Sequence, residues 1–442
     1  RGSSLSKLLL HHADLIKNIE TARKTGMHIV LKDTNFENIM QKVREVISSN
    51  KKRINDDLDR FDNVDFYPCT AEFVDPYIVT VSYWRALPPQ ARISAPEDEN
   101  ITSKMFFLSL GSRPKTPSIK GMNRFNVYTS DNIMEMKILP NRLAIVGGGF
   151  VAAEYAHFFS AMGSEVTIIG RNRRFLPKEE PEISQLAEKE LGKSMAIITN
   201  HEVRKMNENS SDEKILTLVN RGDGKETQII ADDVLLAAGR SPNTTFIHPV
   251  RGDIKTDDKG WLIVNEYLET PQRNIWSFGD ANGRYQFKHA ADYEARIVYE
   301  NAINKRKVKV SYDVMPHAIF TYPEIAGVGL SESESLKDYG EENILIGFSK
   351  YEDTVKGEIM DLKDFFAKII THKSTGKILG AHIIGPYASI IIQEIVTLMH
   401  SSVDTYESII NGVHIHPSLS EVLEKALSNL MAPERYRRII ER

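Results

Sequence analysis

The chain has 442 residues, of which 41% are hydrophobic and 26% are charged, a composition typical of soluble globular proteins. Its length exceeds what one hydrophobic core supports and predicts two to four domains. A net charge of −4 predicts no nucleic-acid or anionic-membrane partner, and no apolar run reaches the length of a membrane span. The single cysteine, Cys69, excludes an internal disulfide and a cysteine-based metal site. We expect no metal, and low cysteine use predicts a reducing, cytoplasmic location.

The first hundred residues predict helices followed by strands. Residues 6–24 carry apolar residues at helical spacing, and a second, highly charged helix is predicted from Phe36 to about Asp59. Residues 64–108 alternate apolar and polar side chains, as strands do, and lead into a turn that begins at Gly111.

Asn141 to Arg174 has the pattern of a dinucleotide-binding unit. An apolar strand is followed by three glycines, a helix that ends near Met162, and a second strand. Gly147 would allow the tight turn, Gly149 would let the backbone approach a pyrophosphate, and Ala152 takes the packing position. The pyrophosphate would lie at the helix N-terminus, whose free N–H groups favour anions. The alternative is a glycine-rich turn in an unrelated α/β unit.

The end of the second strand indicates which coenzyme would bind. NAD-binding units normally place a carboxylate there for the ribose 2′-hydroxyl, but this chain has Arg171, Arg173 and Arg174 and no carboxylate. Because a guanidinium donates two parallel hydrogen bonds to a phosphate, the position favours NADPH over NADH. The alternative is a solvated basic turn.

Two later strands also end in glycines, and from residue 313 the predicted pattern of secondary structure changes. A buried strand within 231–244 leads to Gly239, and an apolar strand from Ile275 to Phe278 brings Gly279 and Asp280 to its carboxyl end, where ligands of open α/β sheets bind. A helix is predicted for 289–302. From 313 onward, short strands are followed by predicted helices at 388–400 and 417–431, which indicates an α+β domain.

Five motifs in chain order resemble those of the flavoprotein disulfide reductases, the group of dihydrolipoamide dehydrogenase, mycothione reductase, glutathione reductase and mercuric reductase. Together they extend over nearly the whole chain. The motifs are GGGFVAAE at 147–154, ADDVLLAAGRSPNT at 231–244, IWSFGDA at 275–281, FTYPEIAGVGL at 320–330 and HIHPSLSE at 414–421.

The resemblance implies an α/β protein with two Rossmann-like nucleotide-binding domains, for FAD and NAD(P), and a C-terminal α+β dimerisation domain. It assigns 1–140 and 266–312 to the FAD domain, 141–265 to the NAD(P) domain and 313–442 to the dimerisation domain. Asp280 matches the family aspartate that binds the FAD ribityl chain. Gly111 and Arg113 match the turn beside FAD, and Gly279 and Gly239 are further candidate cofactor contacts.

The sequence departs from the family pattern at its start. The family opens with a strand and its own Gly-x-Gly-x-x-Gly turn for the FAD pyrophosphate. Since none precedes Arg1, we expect that a native N-terminal piece is missing. The family's redox cysteines lie in a C-x4-C motif, and Ser3 stands at the second of them.

Two pairs are the candidate catalytic residues. In the resembling enzymes a histidine matching His416, oriented by a carboxylate matching Glu421, acts as a base toward the flavin and disulfide of the partner subunit, so a homodimer is expected. Lys7 and Glu154 match the pair that lies beside the flavin ring. The alternatives are a histidine at a helix start beside a surface carboxylate, and two unrelated surface charges.

The sequence therefore predicts an FAD-dependent NAD(P)H oxidoreductase, similar to dihydrolipoamide dehydrogenase, whose substrate is a small-molecule or lipoyl-type disulfide. Ser3 leaves two alternatives open, because only a thiolate exchanges efficiently with a disulfide. One is a flavin reductase or transhydrogenase that uses no disulfide. The other is an inactive form that only binds nucleotides.

Overall fold

The computed structural model describes residues 3–83 and 97–440. These residues form two compact units, each assembled from separate stretches of the chain. The first unit draws on 1–5, 41–115 and 239–311, and the second on 6–40, 116–238 and 312–442. No helix in the described part of the chain combines the length and the apolar character that a membrane span requires. The three domain boundaries expected from the sequence, after residues 140, 265 and 312, stay a prediction.

Helices occur along the whole described chain. Their bounds are α1 Ser3–Lys24, α2 Phe36–Leu58, α3 Phe150–Met162, α4 Pro181–Leu191, α5 Lys288–Ala302, α6 Glu332–Tyr339, α7 Val355–Ile359, α8 Ala388–Met399, α9 Glu407–Ile410, α10 Glu421–Ser428 and α11 Pro433–Ile440.

The strands found among the described residues are short and fall into six sheets. Their bounds are β1 Thr70–Asp75, β2 Ile78–Ser82, β3 Glu99–Thr102, β4 Phe106–Leu108, β5 Ser112–Pro114, β6 Tyr128–Thr129, β7 Arg142–Val146, β8 Glu165–Ile169, β9 Ala196–Ile198, β10 His201–Glu208, β11 Lys214–Asn220, β12 Glu226–Ala231, β13 Asp233–Leu236, β14 Arg240–Pro242, β15 Ile275–Ser277, β16 His317–Ile319, β17 Ile325–Gly329, β18 Ile344–Lys350, β19 Phe366–His372 and β20 Ile378–Ile384.

A five-stranded parallel sheet forms the nucleotide-binding part of the second unit. Its strand order is β6-β13-β7-β8-β9, and α3 connects β7 to β8. The run from Leu143 to Val146 is apolar without alternation because a parallel sheet is covered on both faces, and all four residues are buried. Phe158 and Phe159 of α3 are fully buried. The predicted strand, helix and strand after Asn141 are confirmed.

The C-terminal part of the second unit is built around an antiparallel sheet of order β16-β17-β20-β19-β18. Strands β19 and β20 are buried along almost their whole length. Helix α8 presents Ile391, Ile392 and Ile395 to the core at helical spacing. The prediction that the C-terminal part of the chain is α+β is therefore confirmed, as is the mixed α/β class of the chain.

The first unit contains an antiparallel sheet, β1-β2-β3, and a parallel pair, β4 and β15. In the parallel pair Ser277 lies opposite Leu108, so both strands end at the same edge. That edge carries the turns that follow Leu108 and Ser277. Of the strand region predicted over 64–108, residues 84–96 lie outside the described part of the chain.

Candidate functional site

The glycine turn between β7 and α3 has the shape that a pyrophosphate requires. Gly147 has a φ of 142°, and a Cβ there would lie 2.2 Å from the carbonyl oxygen of Ala237, so only glycine fits. A Cβ on Gly149 would meet no atom within 4 Å, so the space in front of the helix is open. Gly149, at the N-cap of α3, makes no side-chain capping hydrogen bond, and the N-terminus of a helix favours anions. The turn therefore fits a dinucleotide.

The same turn packs closely on the end of β8. A Cβ on Gly148 would lie 3.1 Å from the Cα of Gly170, and Ala152 is fully buried in α3, the position predicted for close packing. The two strand ends therefore approach each other through glycine backbone, which brings the predicted arginine turn next to the glycine turn.

Arg171, Arg173 and Arg174 are all exposed on this arginine turn. A fourth cation, Arg221, donates a hydrogen bond of 2.8 Å from its guanidinium to the carbonyl oxygen of Arg171. Sequence reasoning missed Arg221 because it lies 50 positions away, in the hairpin between β11 and β12, and only strand pairing brings it here.

Lys7 and Glu154 form an ion pair close to the glycine turn. Lys7 Nζ lies 2.8 Å from both carboxylate oxygens of Glu154, which is buried on α3. Glu154 also accepts hydrogen bonds from the Ser6 hydroxyl at 3.3 Å and from the backbone N–H of Phe320 at 3.2 Å. The ammonium lies 5.0 Å from the centroid of the Phe320 ring. Ser6 and Phe320 were not predicted as contacts, although both lie in or beside motifs shared with the family.

His416 and Glu421 also form a pair. The imidazole Nδ1 lies 2.8 Å from Glu421 Oε1, while the other carboxylate oxygen accepts the Ser418 N–H at 2.8 Å. The carboxylate fixes the ring and directs Nε2 outward, and 62% of the His416 side chain is exposed. A base held in this way can accept a proton from a group that is supplied by another molecule.

The helix that follows His416 is shorter than predicted. The sequence indicated a helix over 417–431 with Pro417 in its first turn, but α10 begins at Glu421 and ends at Ser428. The prediction was wrong because the N–H of Ser418 bonds to the Glu421 side chain and Val422 bonds to Leu419 three residues back, so no helical ladder forms before Glu421.

In the first unit, the turns after β4 and β15 meet through Asp280. Its carboxylate accepts a hydrogen bond from the Ser112 hydroxyl, and Arg240, which the sequence did not single out, donates to the same hydroxyl at 2.8 Å. Gly111 has a φ of 65°, and a Cβ there would meet nothing within 4 Å, so the turn leaves open space. This space beside a held carboxylate fits a polar cofactor chain.

Gly279 and Gly239 are held by backbone contacts. Gly279 has a φ of 69°, and its N–H donates a hydrogen bond of 2.7 Å to the buried carboxylate of Glu294. The sequence did not single out Glu294. Gly239 has a φ of 109°, and its carbonyl oxygen accepts the N–H of Lys115 at 2.9 Å.

Arg113 is tied to its own unit. Its guanidinium donates to the carbonyl oxygen of Pro242 and, at 3.4 Å, to Asn243, and it lies 5.0 Å from the centre of the Phe246 ring. These contacts orient the arginine along the segment 242–246. Its predicted role at the cofactor stays a prediction, as do the roles of the other predicted site residues.

The His416–Glu421 pair gives a pH-dependent prediction. The hydrogen bond from His416, with that from Ser418, holds the pKa of Glu421 below its ordinary 4.5. A carboxyl whose pKa is lowered by folding stabilises the protein above its unfolded pKa, and this contribution is lost as the pH falls through the folded value. We expect Glu421→Gln to lower the urea-unfolding midpoint at pH 7, and the difference from wild type to shrink as the pH falls through the lowered pKa of Glu421.

The control for this prediction is Glu226→Gln, which changes an exposed carboxylate at the start of strand β12, away from any helix N-terminus. This variant should follow the wild-type midpoint at every pH. A midpoint difference for Glu421→Gln that is constant from pH 7 to pH 3 would show that the carboxylate does not hold its proton more weakly in the folded protein.

Comparison with known proteins places the chain in a family. Residues 2–295 match the family described as pyridine nucleotide-disulphide oxidoreductase, and 315–427 match the dimerisation domain of that family. The chain is 35% identical to mercuric reductase of Staphylococcus aureus over 66% of its own length, and it spans 53% of that relative. It is 34% identical to dihydrolipoyl dehydrogenase of Synechocystis, with 75% of this chain and 71% of the relative covered.

Further similarities agree with this assignment. The chain is 32% identical to mycothione reductase of Mycobacterium tuberculosis, with 75% of this chain and 72% of the relative covered. Among solved structures, the HOCl-induced flavoprotein disulfide reductase RclA of Escherichia coli aligns with a TM-score of 0.82 at 24% identity, over 97% of this chain and 89% of that one, and thus shares the fold. The chain therefore belongs to the pyridine nucleotide-disulphide oxidoreductase family.

Proposed function

We propose that the protein is an FAD-dependent oxidoreductase that takes its electrons from NADPH. The observation that carries this proposal is the open glycine turn at Gly149 beside the exposed arginines at 171, 173 and 174. The turn provides N–H groups for a pyrophosphate, and the arginines provide cations for a 2′-phosphate. The family uses FAD with a pyridine nucleotide, and the arginine turn supports NADPH as the preferred one.

In the first unit, Asp280 and the open turn at Gly111 would bind the ribityl part of FAD, with Gly279 and Gly239 as further candidate contacts. In the second unit, the Lys7–Glu154 pair matches the pair that the family places beside the flavin ring, and Glu154 holds the Lys7 ammonium in position. When bound, FAD supplies the chemistry that accepts a hydride and passes on two electrons.

The electron acceptor is limited by the thiols that the chain offers. Ser3 occupies the position of the second redox cysteine, and the only cysteine is Cys69. Burial raises the pKa of the Cys69 thiol, which keeps it protonated and unreactive near neutral pH. We infer that electrons pass to a quinone or to oxygen. With a quinone, NADPH and one proton yield NADP⁺ and the quinol. With oxygen, NADPH and one proton yield NADP⁺ and hydrogen peroxide. Low cysteine use also supports a cytoplasmic location.

A second candidate function is the reduction of a disulfide, either a small molecule or a lipoyl group. The exposed His416–Glu421 pair favours it, because such a base suits proton transfer to and from a thiol. This candidate needs a cysteine pair that the positions at Ser3 and Cys69 do not supply.

The acceptor can be tested with one preparation of the protein. We expect NADPH-dependent reduction of a quinone or a redox dye, and no turnover of lipoamide or of a glutathione-like disulfide, because a serine cannot form the required thiolate. Absorbance of the flavin bands confirms that FAD is present. Steady disulfide turnover would overturn the first proposal in favour of the second, and a preparation that binds no FAD would exclude both.

The coenzyme preference can be tested at the arginine turn. Replacing Arg171 and Arg173 together by alanine should raise the KM for NADPH by roughly tenfold or more, because hydrogen bonds to a charged group contribute about 1.5–3 kcal/mol each. The KM for NADH should change little, since NADH has no 2′-phosphate. Steady-state kinetics with both coenzymes measure this.

The matched control is Arg204→Ala, which removes an exposed arginine of β10 that is paired with Glu202 at 3.4 Å. It should leave both KM values unchanged. If the double variant keeps the wild-type KM for NADPH, the arginines form only a solvated turn.

We also propose that the protein is a homodimer formed through 313–442. The match to a family dimerisation domain supports this, as do apolar side chains near His416 that are more than two thirds exposed in the single chain. They are Ile390, Val413 and Ile415. Covering such a patch with a second copy removes apolar surface from water.

Light scattering at micromolar concentration should give about twice the chain mass of 50.1 kDa. Ile415→Asp should shift the protein toward the monomer, because it places a charge in the proposed interface. Ile138→Asp, at an equally exposed isoleucine outside 313–442, should not do so. A wild-type monomer would refute the proposal.

A further inference from the structure

A buried lysine lies in the C-terminal part of the second unit, away from every predicted site residue in sequence. The side chain of Lys368, on β19, is 0% exposed. Its ammonium contacts Glu180 at 2.5 Å, Glu182 at 2.5 Å and Glu332 at 2.7 Å. The Tyr436 hydroxyl donates to Glu182 as well, at 2.5 Å. We call these five residues the lysine cluster.

The lysine cluster is not an empty metal site. The carboxylates of Glu180, Glu182 and Glu332 lie close enough together to bind a cation, but Lys368 is that cation. Burial works against charge on Lys368, but the three carboxylates raise its pKa above the ordinary value. Burial likewise raises the pKa of Glu182, yet Lys368 outweighs it and holds the net value low. Lys368 is therefore an ammonium and Glu182 a carboxylate, and separating them would leave unpaired charges in the protein interior.

The cluster joins two parts of the chain that are far apart in sequence. Glu180 and Glu182 lie at the start of α4, immediately after the arginine turn, whereas Lys368 and Glu332 belong to the region that matches the dimerisation domain. The backbone N–H of Glu332 also donates to Glu180 at 2.9 Å. A second contact between the same two parts of the chain joins Glu179 to the imidazole Nε2 of His317, on β16, at 2.9 Å.

The segment between the arginine turn and Glu180 is short and fixed at both ends. Phe175 and Leu176 are buried, and the Leu176 N–H donates a hydrogen bond of 2.9 Å to the carbonyl oxygen of Gly148 in the glycine turn. Leu176 has a φ of 46°, a conformation that an ordinary side chain adopts only where the surroundings impose it. Four residues after Leu176, Glu180 is held by Lys368. A displacement of Glu180 in the lysine cluster would therefore also displace the arginine turn, because the segment between them is constrained.

We propose that Lys368 and Glu180 are positioning residues for the coenzyme: they hold the arginine turn at 171–174 against the glycine turn, so that the dimerisation domain sets the affinity for the 2′-phosphate. This inference rests on the proposed use of NADPH. It makes coenzyme binding depend on residues of β19 that do not touch the coenzyme.

The test compares two alanine substitutions within the cluster. Glu180→Ala releases the segment that follows the arginine turn, while Lys368 keeps two carboxylates and is not left unpaired. We expect the KM for NADPH to rise roughly threefold to tenfold, the range of coupling seen for residues that act on a distant site. The KM for NADH should change less, and kcat at saturating NADPH should stay near the wild-type value.

Glu332→Ala is the matched control. It removes one carboxylate from the same lysine but leaves the bond between Lys368 and Glu180, so it should lower thermal stability without raising the KM for NADPH. Equal effects of the two variants on KM would overturn the proposal and show that the lysine cluster serves stability alone.

Two further measurements keep the outcome decisive. If Glu180→Ala does not fold, Glu180→Gln, which keeps the length of the side chain but removes the charge that Lys368 contacts, should raise the KM for NADPH in the same direction, and an unchanged KM would refute the proposal. The double variant at Arg171 and Arg173 distinguishes the proposed coenzyme site from the proposed positioning role of Lys368 and Glu180. If that variant has no effect, the proposed coenzyme site is wrong. If it has an effect while Glu180→Ala has none, only the positioning role is wrong.

Discussion

The close approach of backbone at the glycine turn is the constraint on which the coenzyme-binding unit depends. Gly147 brings the chain so close to the carbonyl oxygen of Ala237 that a methyl group could not fit, and Gly148 does nearly the same with Gly170. These approaches join the carboxyl ends of three neighbouring strands of the parallel sheet. The opening in front of α3, the arginine turn and the segment ending at Glu180 all take their positions from them.

Buried glutamate carboxylates that accept hydrogen bonds from distant parts of the chain are a second constraint on the fold. Glu154 holds Lys7, Glu294 holds the turn at Gly279, and Glu180 holds Lys368. A buried carboxylate must find donors or lose its charge, so each one fixes the groups around it. In this chain the partners come from distant stretches of sequence, and each carboxylate therefore joins a loop or helix to an element that the chain reaches much later.

The side-chain pairs that the sequence singled out are formed, while Ser3 differs from the family motif. His416 contacts Glu421 and Lys7 contacts Glu154, and Ser3 stands where the resemblance implies a cysteine. Because a serine hydroxyl does not ionise near neutral pH, electrons that enter such a chain require an acceptor other than a disulfide at that position. The acceptor is thus the property in which we expect this protein to differ from its relatives.

The sequence alone determined the local features: the strand, glycine turn and helix after Asn141, the arginine turn, the mixed α/β class and the motifs of the family. These depend on periodicity, on glycine and on short spacing, which a sequence displays directly. The predicted helix start near Pro417 was wrong. The backbone N–H of Ser418 donates to the Glu421 carboxylate, and α10 begins only at Glu421. Only the tertiary structure decided that Arg221 supports the arginine turn, that Phe320 contacts the Lys7–Glu154 pair, and that Lys368 lies among three carboxylates. Each of these contacts joins residues separated by tens to hundreds of positions, and strand pairing and burial, which no local pattern encodes, bring them together.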